Sequence, residues 1–257
     1  MQLPPLAVAR FFAIKGTILT GKEGKILMLR WLPEDVSPYG SGIDSLFYFI
    51  YYITAAAFIL VTALMVIFLF LYRHKEGRQA TYTHGNTTLE IMWTVIPALV
   101  FIGLGFASKA KWDELKIDIP QTDVVIQVTG KQFNWEIVYP GPDGQFNTAD
   151  DKQIDNDIHV PVGKPIRVIL QAKDVIHSFF LPHLRFKQDL VPGREIVGWF
   201  QADKPGKYEI PCAELCGFGH SGMKGWLYVL TPEEYQKWVS EQWPSAAAQA
   251  AKTETHS

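Results

Sequence analysis

The chain of 257 residues is 48% hydrophobic and 19% charged, which admits one or two folded units and excludes both a large multidomain enzyme and an intrinsically disordered chain. Lys and Arg number 24 against 26 Asp and Glu, a formal net charge of −2, so no basic surplus points to nucleic acid. The two cysteines, Cys212 and Cys216, lie too close in sequence to staple distant segments.

These averages conceal two unlike halves. Residues 1–112 carry 10 basic and 6 acidic side chains, whereas residues 113–257 carry 14 and 20. At the N-terminus, residues 6–14 are mildly apolar but broken by Arg10 and followed by Lys15, with no small-residue cleavage site. Residues 1–43 therefore read as an outward-facing or interfacial surface segment. A membrane hairpin is expected over residues 44–110. Leu46 to Tyr72 is a run of 27 residues without a charge, and Thr87 to Ser108 contains only Glu90. The first run is roughly 40 Å long as a helix, enough to cross a bilayer with tilt. A buried soluble helix rarely runs so far without a charge. Between the runs lies Arg73-His-Lys-Glu-Gly-Arg78, which the positive-inside rule assigns to the cytoplasm, so that both chain ends face outward. Arg10, Lys15, Lys22, Lys25 and Arg30 in the outward segment run against that orientation.

From Asp123 the pattern changes to short β-branched and aromatic runs separated by Gly, Pro and Asp: VVIQVTG, FNWEIVYP, PIRVILQA, IHSFFLP, EIVGWFQA, KYEIP and KGWLYVL. Such a series predicts a β-sandwich or Greek-key barrel over residues 111–243. Residues 141–157 read as a long acidic hairpin insertion, and an EF-hand alignment from Asp143 fails at Thr148 and Ile154. Thr231-Pro-Glu-Glu234 predicts a capped helix start, with the helix closing the domain near Trp243. The alanine-rich residues 244–257 read as a mobile tail.

The chemistry concentrates in Cys212-Ala-Glu-Leu-Cys216-Gly-Phe-Gly-His220-Ser-Gly-Met223, with His177 on another predicted strand. Soft sulfur donors beside imidazole select copper, and Gly217, Gly219 and Gly222 let the loop fold around an ion. A Cys212–Cys216 disulfide leaves His220 and Met223 without a role. A Cys₂His₂ zinc site with His177 and His220 needs no methionine. A single blue-copper centre leaves one thiol over, and a thiol oxidoreductase favours C-x-x-C at a helix N-terminus. Two copper ions sharing both thiolates use the whole set.

At these residues the chain resembles subunit II of the haem-copper cytochrome c oxidases. The resemblance runs from about residue 45 to 243 and rests on LEIMWTVIPAL, GKQFNWEIVYP, VIHSFFLPHLRFKQDLVPGR and CAELCGFGHSGM. It implies a membrane-anchored all-β protein: a two-helix hairpin, a cupredoxin bearing the binuclear copper centre CuA, and a short C-terminal helix. By position it implies copper ligation by His177, Cys212, Cys216, His220, Met223 and the backbone carbonyl of Glu214, whose side chain would reach a magnesium ion shared with subunit I. Glu90 matches the entrance of a proton pathway in subunit I, though a carboxylate there can also snorkel to the interface. Lys187, Asp189 and Arg194 match residues that face subunit I, where the haem resides. Phe133 stands where the family usually has the tryptophan of electron entry; ordinary strand packing is the other reading of that residue, and Trp135 reads as core. The implied partners are the other oxidase subunits, membrane lipid and a separate cytochrome c-like donor, because no C-x-x-C-H follows the sandwich. The expected location is a bacterial cytoplasmic membrane rather than a mitochondrial inner membrane, with the cupredoxin on the periplasmic side. A quinol oxidase subunit would lack the Cys and His ligands. A copper-delivery module is the reading from another class.

Overall fold

A computed structural model describes residues 32–244. The surface segment expected over residues 1–43 falls outside the described residues up to residue 31, as does the expected tail from residue 245 onward. Two long helices come first, α1 (Gly40–Leu71) and α2 (Thr87–Trp112). Asn86 caps α2 through its side-chain oxygen, which accepts from the Leu89 N–H at 3.1 Å, satisfying a donor that the first turn leaves without an intrahelical partner. Both helices are long and apolar enough to cross a membrane, and none of the residues in their most apolar windows is buried against protein. A five-residue π-helical turn, Asp113–Ile117, carries α2 into the sandwich.

Ten strands follow: β1 (Val125–Lys131), β2 (Asn134–Tyr139), β3 (Lys152–Asp155), β4 (Asp157–Pro161), β5 (Pro165–Ala172), β6 (His177–Leu181), β7 (Phe186–Leu190), β8 (Ile196–Gln201), β9 (Gly206–Pro211) and β10 (Lys224–Leu230). They form a five-stranded sheet in the order β3-β2-β1-β5-β8, a three-stranded sheet in the order β4-β10-β9, and the hairpin β6-β7. In β1, β2 and β10 every second residue is buried, as a strand with one face toward a core requires. Ile126, Val128, Trp135, Ile137, Ile166, Val168 and Phe200 meet Ile158, Ile210 and Leu227 in the core. Each aliphatic side chain so buried contributes about 1.5–3 kcal/mol before the entropy of ordering is subtracted.

Three strands were not legible in the sequence. β3 arises from the second half of the stretch read as an acidic insertion and β4 starts at its last residue, Asp157, so within 141–157 the irregular turn ends at residue 151. β7 lies within the RFKQDLVPGR segment, where its polar residues hid the strand pattern. The last helix, α3 (Pro232–Gln242), has the expected capping box between Thr231 and Glu234.

The base of the hairpin is fastened to the sandwich. The Val36 N–H donates to the His183 carbonyl at 3.0 Å, and the Asp203 N–H donates to the Val36 carbonyl at 2.7 Å. Arg185 grips Asp44 with two nitrogens at 2.7 and 2.9 Å, a paired geometry that fixes direction as well as distance. From the π-helical turn that follows α2, Lys116 donates to Gln188 at 3.0 Å. Both helices thus meet the sandwich at its β7 region.

Candidate metal centre

Two distant parts of the chain supply the centre. His177 opens β6, and the other donors lie on the loop between β9 and β10. The loop is closed at its base by the Cys212 N–H, which donates to the Met223 carbonyl at 3.0 Å. It is tied to β6 by the Ala213 N–H, which donates to the Ser178 carbonyl at 3.0 Å. A short 3₁₀ turn over His220–Gly222 then brings His220 and Met223 back toward the thiols.

Cys212 and Cys216 are free thiols, buried, with their sulfurs 3.9 Å apart. The Nδ1 of His177 lies 3.9 Å from the Cys212 sulfur, and the Nδ1 of His220 lies 3.6 Å from the Cys216 sulfur. The Met223 sulfur is 3.7 Å from that of Cys216, and the Glu214 carbonyl oxygen is 3.3 Å from that of Cys212. His177, Cys212 and Cys216 can all present ligand atoms within 4.8 Å of one another. Each thiol therefore has its own imidazole. A third donor stands beside each sulfur, and neither thiol is spent in a disulfide. This soft donor set fits copper. Burial, with the charge of Cys212 next in weight, pushes the Cys216 thiol up to about 11. A metal must therefore displace a proton to bind there.

Behind the ligands stands a group the sequence did not single out. Asp174 Oδ1 is 2.8 Å from His177 Nε2 and accepts from the Val175 N–H at 2.7 Å. Its Oδ2 accepts from the Gln132 N–H at 2.7 Å. Burial opposes ionisation of Asp174, but these hydrogen bonds together outweigh it and hold the carboxyl below its usual range. With Nε2 donating to Asp174, His177 turns its Nδ1 lone pair toward the thiols. The spacing Asp-x-x-His was the available signal. Gln132 also donates its side-chain amide to the Cys216 carbonyl.

Gly219 and Gly217 also leave room for close neighbours, and at Gly217 the Gln132 amide would stand 2.6 Å from an added Cβ. A Cβ on Gly219 would stand 2.5 Å from the ring of Phe133, and one on Gly217 would stand 3.2 Å from it. Phe133 covers the ligand loop and remains 40% exposed, while Trp135 is fully buried and donates to the Ile210 carbonyl at 3.2 Å.

The remaining candidate residues lie apart from the donors or at their edge. The Glu214 side chain is exposed. Asp189 accepts from Ser178 at 2.7 Å and pairs with Lys187 at 2.9 Å, contacts that hold its carboxyl below the usual range. Arg194 is exposed in the turn before β8. Glu90 is exposed in the first turn of α2.

Family models match most of the chain. "Cytochrome C oxidase subunit II, transmembrane domain" covers residues 27–110, and "Cytochrome C oxidase subunit II, periplasmic domain" covers residues 124–227. A cytochrome c oxidase subunit 2 from Cereibacter sphaeroides is 31% identical over 237 residues, spanning 80% of this chain and 77% of that one. The chain belongs to the cytochrome c oxidase subunit II family. An alternative cytochrome c oxidase subunit 2 from Bradyrhizobium diazoefficiens is 29% identical over 222 residues, spanning 78% of this chain and 80% of its own. The crystal structure of the periplasmic domain of subunit II of cytochrome oxidase from Bradyrhizobium japonicum is 35% identical, with a TM-score of 0.43. It covers 48% of this chain and 96% of that domain. As a subunit II, the chain is a membrane-anchored component of a haem-copper oxidase, and its β-sandwich is the family's cupredoxin domain.

Proposed function

We propose that this subunit takes electrons one at a time from a soluble cytochrome c-like donor and passes them to haem in subunit I, where oxygen is reduced and protons are moved. The observation that carries the reading is the pair of free, buried thiols 3.9 Å apart, each with an imidazole nitrogen within 3.9 Å. A single ion would leave part of such a donor set unused, whereas a pair of copper ions would use all of it. His177, Cys212, Cys216, His220, Met223 and the Glu214 carbonyl would hold the pair. When bound, two copper ions sharing two thiolates accept and release a single electron with little rearrangement of their ligands.

The chain's own residues supply the rest. Asp174 orients His177, the loop-base hydrogen bond between Cys212 and Met223 sets the span of the ligands, and Phe133 excludes water from the loop's flank. The exposed carboxylate of Glu214 is available to a magnesium ion shared with subunit I, and Lys187, Asp189 and Arg194 are available to subunit I itself. Glu90 lies in the first turn of α2, which follows the connection carrying Arg73, Lys75 and Arg78, a placement that suits a proton entrance on the cytoplasmic side. The sandwich then lies on the periplasmic face of a bacterial membrane.

The test is metal analysis and electron paramagnetic resonance on the full chain in detergent, loaded with copper under mild oxidation. Two coppers per chain, with hyperfine structure from one electron shared by both nuclei, are expected, and Cys216→Ser should abolish the sharing. One copper with the signal of an isolated ion would move the function to copper delivery.

A further inference from the structure

The copper ligands are covered by their own loop, and the crest of that loop is an aromatic ring. Cys212, Cys216, Met223 and His177 are buried, yet Phe218, two residues from Cys216 and two from His220, is fully exposed at 105%. Burial of a phenyl ring is favourable, and no packing among the described residues accounts for leaving this one in water. Phe133 lies against Gly217 and Gly219, the two neighbours of Phe218 in the chain. Val175 and Ile176, also exposed, belong to the segment that Asp174 ties to Gln132. An apolar surface therefore borders the ligand loop on more than one side.

Charge is scarce on the same segments. Residues 130–136, 172–177 and 212–223 contain Lys131 and Lys173 against Glu136, Asp174 and Glu214. Lys131 is paired with Glu136, and Asp174 is committed to His177 and two backbone N–H groups. Much of the acidic surplus of residues 113–257 lies outside these segments, with Asp143, Asp150 and Asp151 in the irregular turn and Glu233, Glu234 and Glu241 on α3, while Asp155 accepts from Asn134 at 3.2 Å. Net charge summed over the domain is thus a poor guide to the face over the metal ligands.

We propose that Phe218 anchors the donor by apolar contact, and that the donor is a soluble redox protein whose haem edge is ringed by apolar, nearly uncharged surface. The inference rests on the electron-entry function proposed above. Electron transfer weakens steeply with distance, so the donor must approach the crest of the ligand loop, and there it meets Phe218 first. A nearly uncharged face of this kind fits a partner face that is itself nearly uncharged. An exposed aromatic with a second one against its two neighbours in the loop is the composition that concentrates binding energy in protein contacts.

The test uses the assembled oxidase with wild-type, Phe218→Ala and Phe218→Leu subunits. The probes are a reduced soluble monohaem cytochrome c and, separately, hexaammineruthenium(II), which delivers electrons without a protein interface. Phe218→Ala should lower kcat/KM for the cytochrome about tenfold, and Phe218→Leu should restore most of it. Copper content, the paramagnetic signal and the rate with the ruthenium reductant should stay unchanged in both. Wild-type kcat/KM should vary less than about threefold between roughly 20 and 200 mM salt. Retention of kcat/KM by Phe218→Ala overturns the anchor, and a steeper salt dependence overturns apolar docking. Loss of the two-copper signal in the wild-type enzyme would instead refute the electron-entry function.

Discussion

Replacing Asp174 with Asn should weaken copper binding while leaving the sandwich folded. In the native arrangement Oδ1 meets His177 Nε2 at 2.8 Å and the Val175 N–H at 2.7 Å, and Oδ2 meets the Gln132 N–H at 2.7 Å. All three partners donate, so the site demands two acceptor oxygens. Asparagine has one. If its NH₂ takes the Oδ2 position it faces the Gln132 N–H, donor against donor, which costs about 1–3 kcal/mol for the group left unsatisfied. If it takes the Oδ1 position it drives His177 toward the tautomer protonated at Nδ1, the nitrogen that must ligate. Loss of the partner behind a ligating histidine typically lowers metal affinity about 10–100-fold, or ~1.4–2.7 kcal/mol. Removing the negative charge should also raise the reduction potential, because the carboxylate favours the more positive, oxidised metal pair. Competition against a copper chelator measures the affinity, and thermal melting of the metal-free variant separates it from unfolding. An affinity within about twofold of wild type, at unchanged melting temperature, would refute the account of Asp174.

Gly219→Ala should destabilise the ligand loop by about 1–3 kcal/mol, because its Cβ would fall 2.5 Å from the Phe133 ring and either the ring or the loop must move. Chemical denaturation reads the loss, and the hyperfine pattern of the loaded protein reads the displacement of ligands. A pH effect should come from His159, which stacks between Tyr228 and Trp238 at centroid distances of 4.7 and 5.1 Å. Burial lowers its pKa, with the charge of Asp157 opposing. The folded state therefore binds fewer protons than the unfolded one. This stability is complete above the unfolded imidazole pKa of about 6.5 and is lost as pH falls through the lower folded value. Unfolding free energies at about pH 8 and about pH 5 should differ more for wild type than for His159→Phe, and equal differences would contradict the assignment.

The parts of the molecule that follow one strong local rule were readable in advance. The charge-free run from Leu46 and the capping box at Thr231 both stand as helices because length, apolarity and end chemistry agreed. The twelve-residue ligand loop was legible because its donors are adjacent in sequence. Three strands were missed where pairing in the sheet overrides weak local preference. β7 carries Lys187, Gln188 and Asp189 in its middle, and β3 alternates half-buried with exposed residues at a sheet edge. Asp174 escaped notice because its role exists only once β6 and the loop before β2 come together. Phe218 escaped it because a phenylalanine in sequence gives no sign of which side of a loop it will occupy. The glycines of the loop were read as conforming to an ion; the fold adds close neighbours that the sequence does not show, the Gln132 amide at Gly217 and the ring of Phe133 at Gly219.

The closure of the ligand loop by Cys212 and Met223, together with the bond from Ala213 to β6, ties metal binding to the fold of the sandwich. These hydrogen bonds are made by backbone groups and join Ser178 to Ala213, 35 positions apart in the chain. Folding that pairs these strands is therefore what carries the loop to His177, and copper bound to the folded chain would stabilise it by mass action, in proportion to the logarithm of its free concentration.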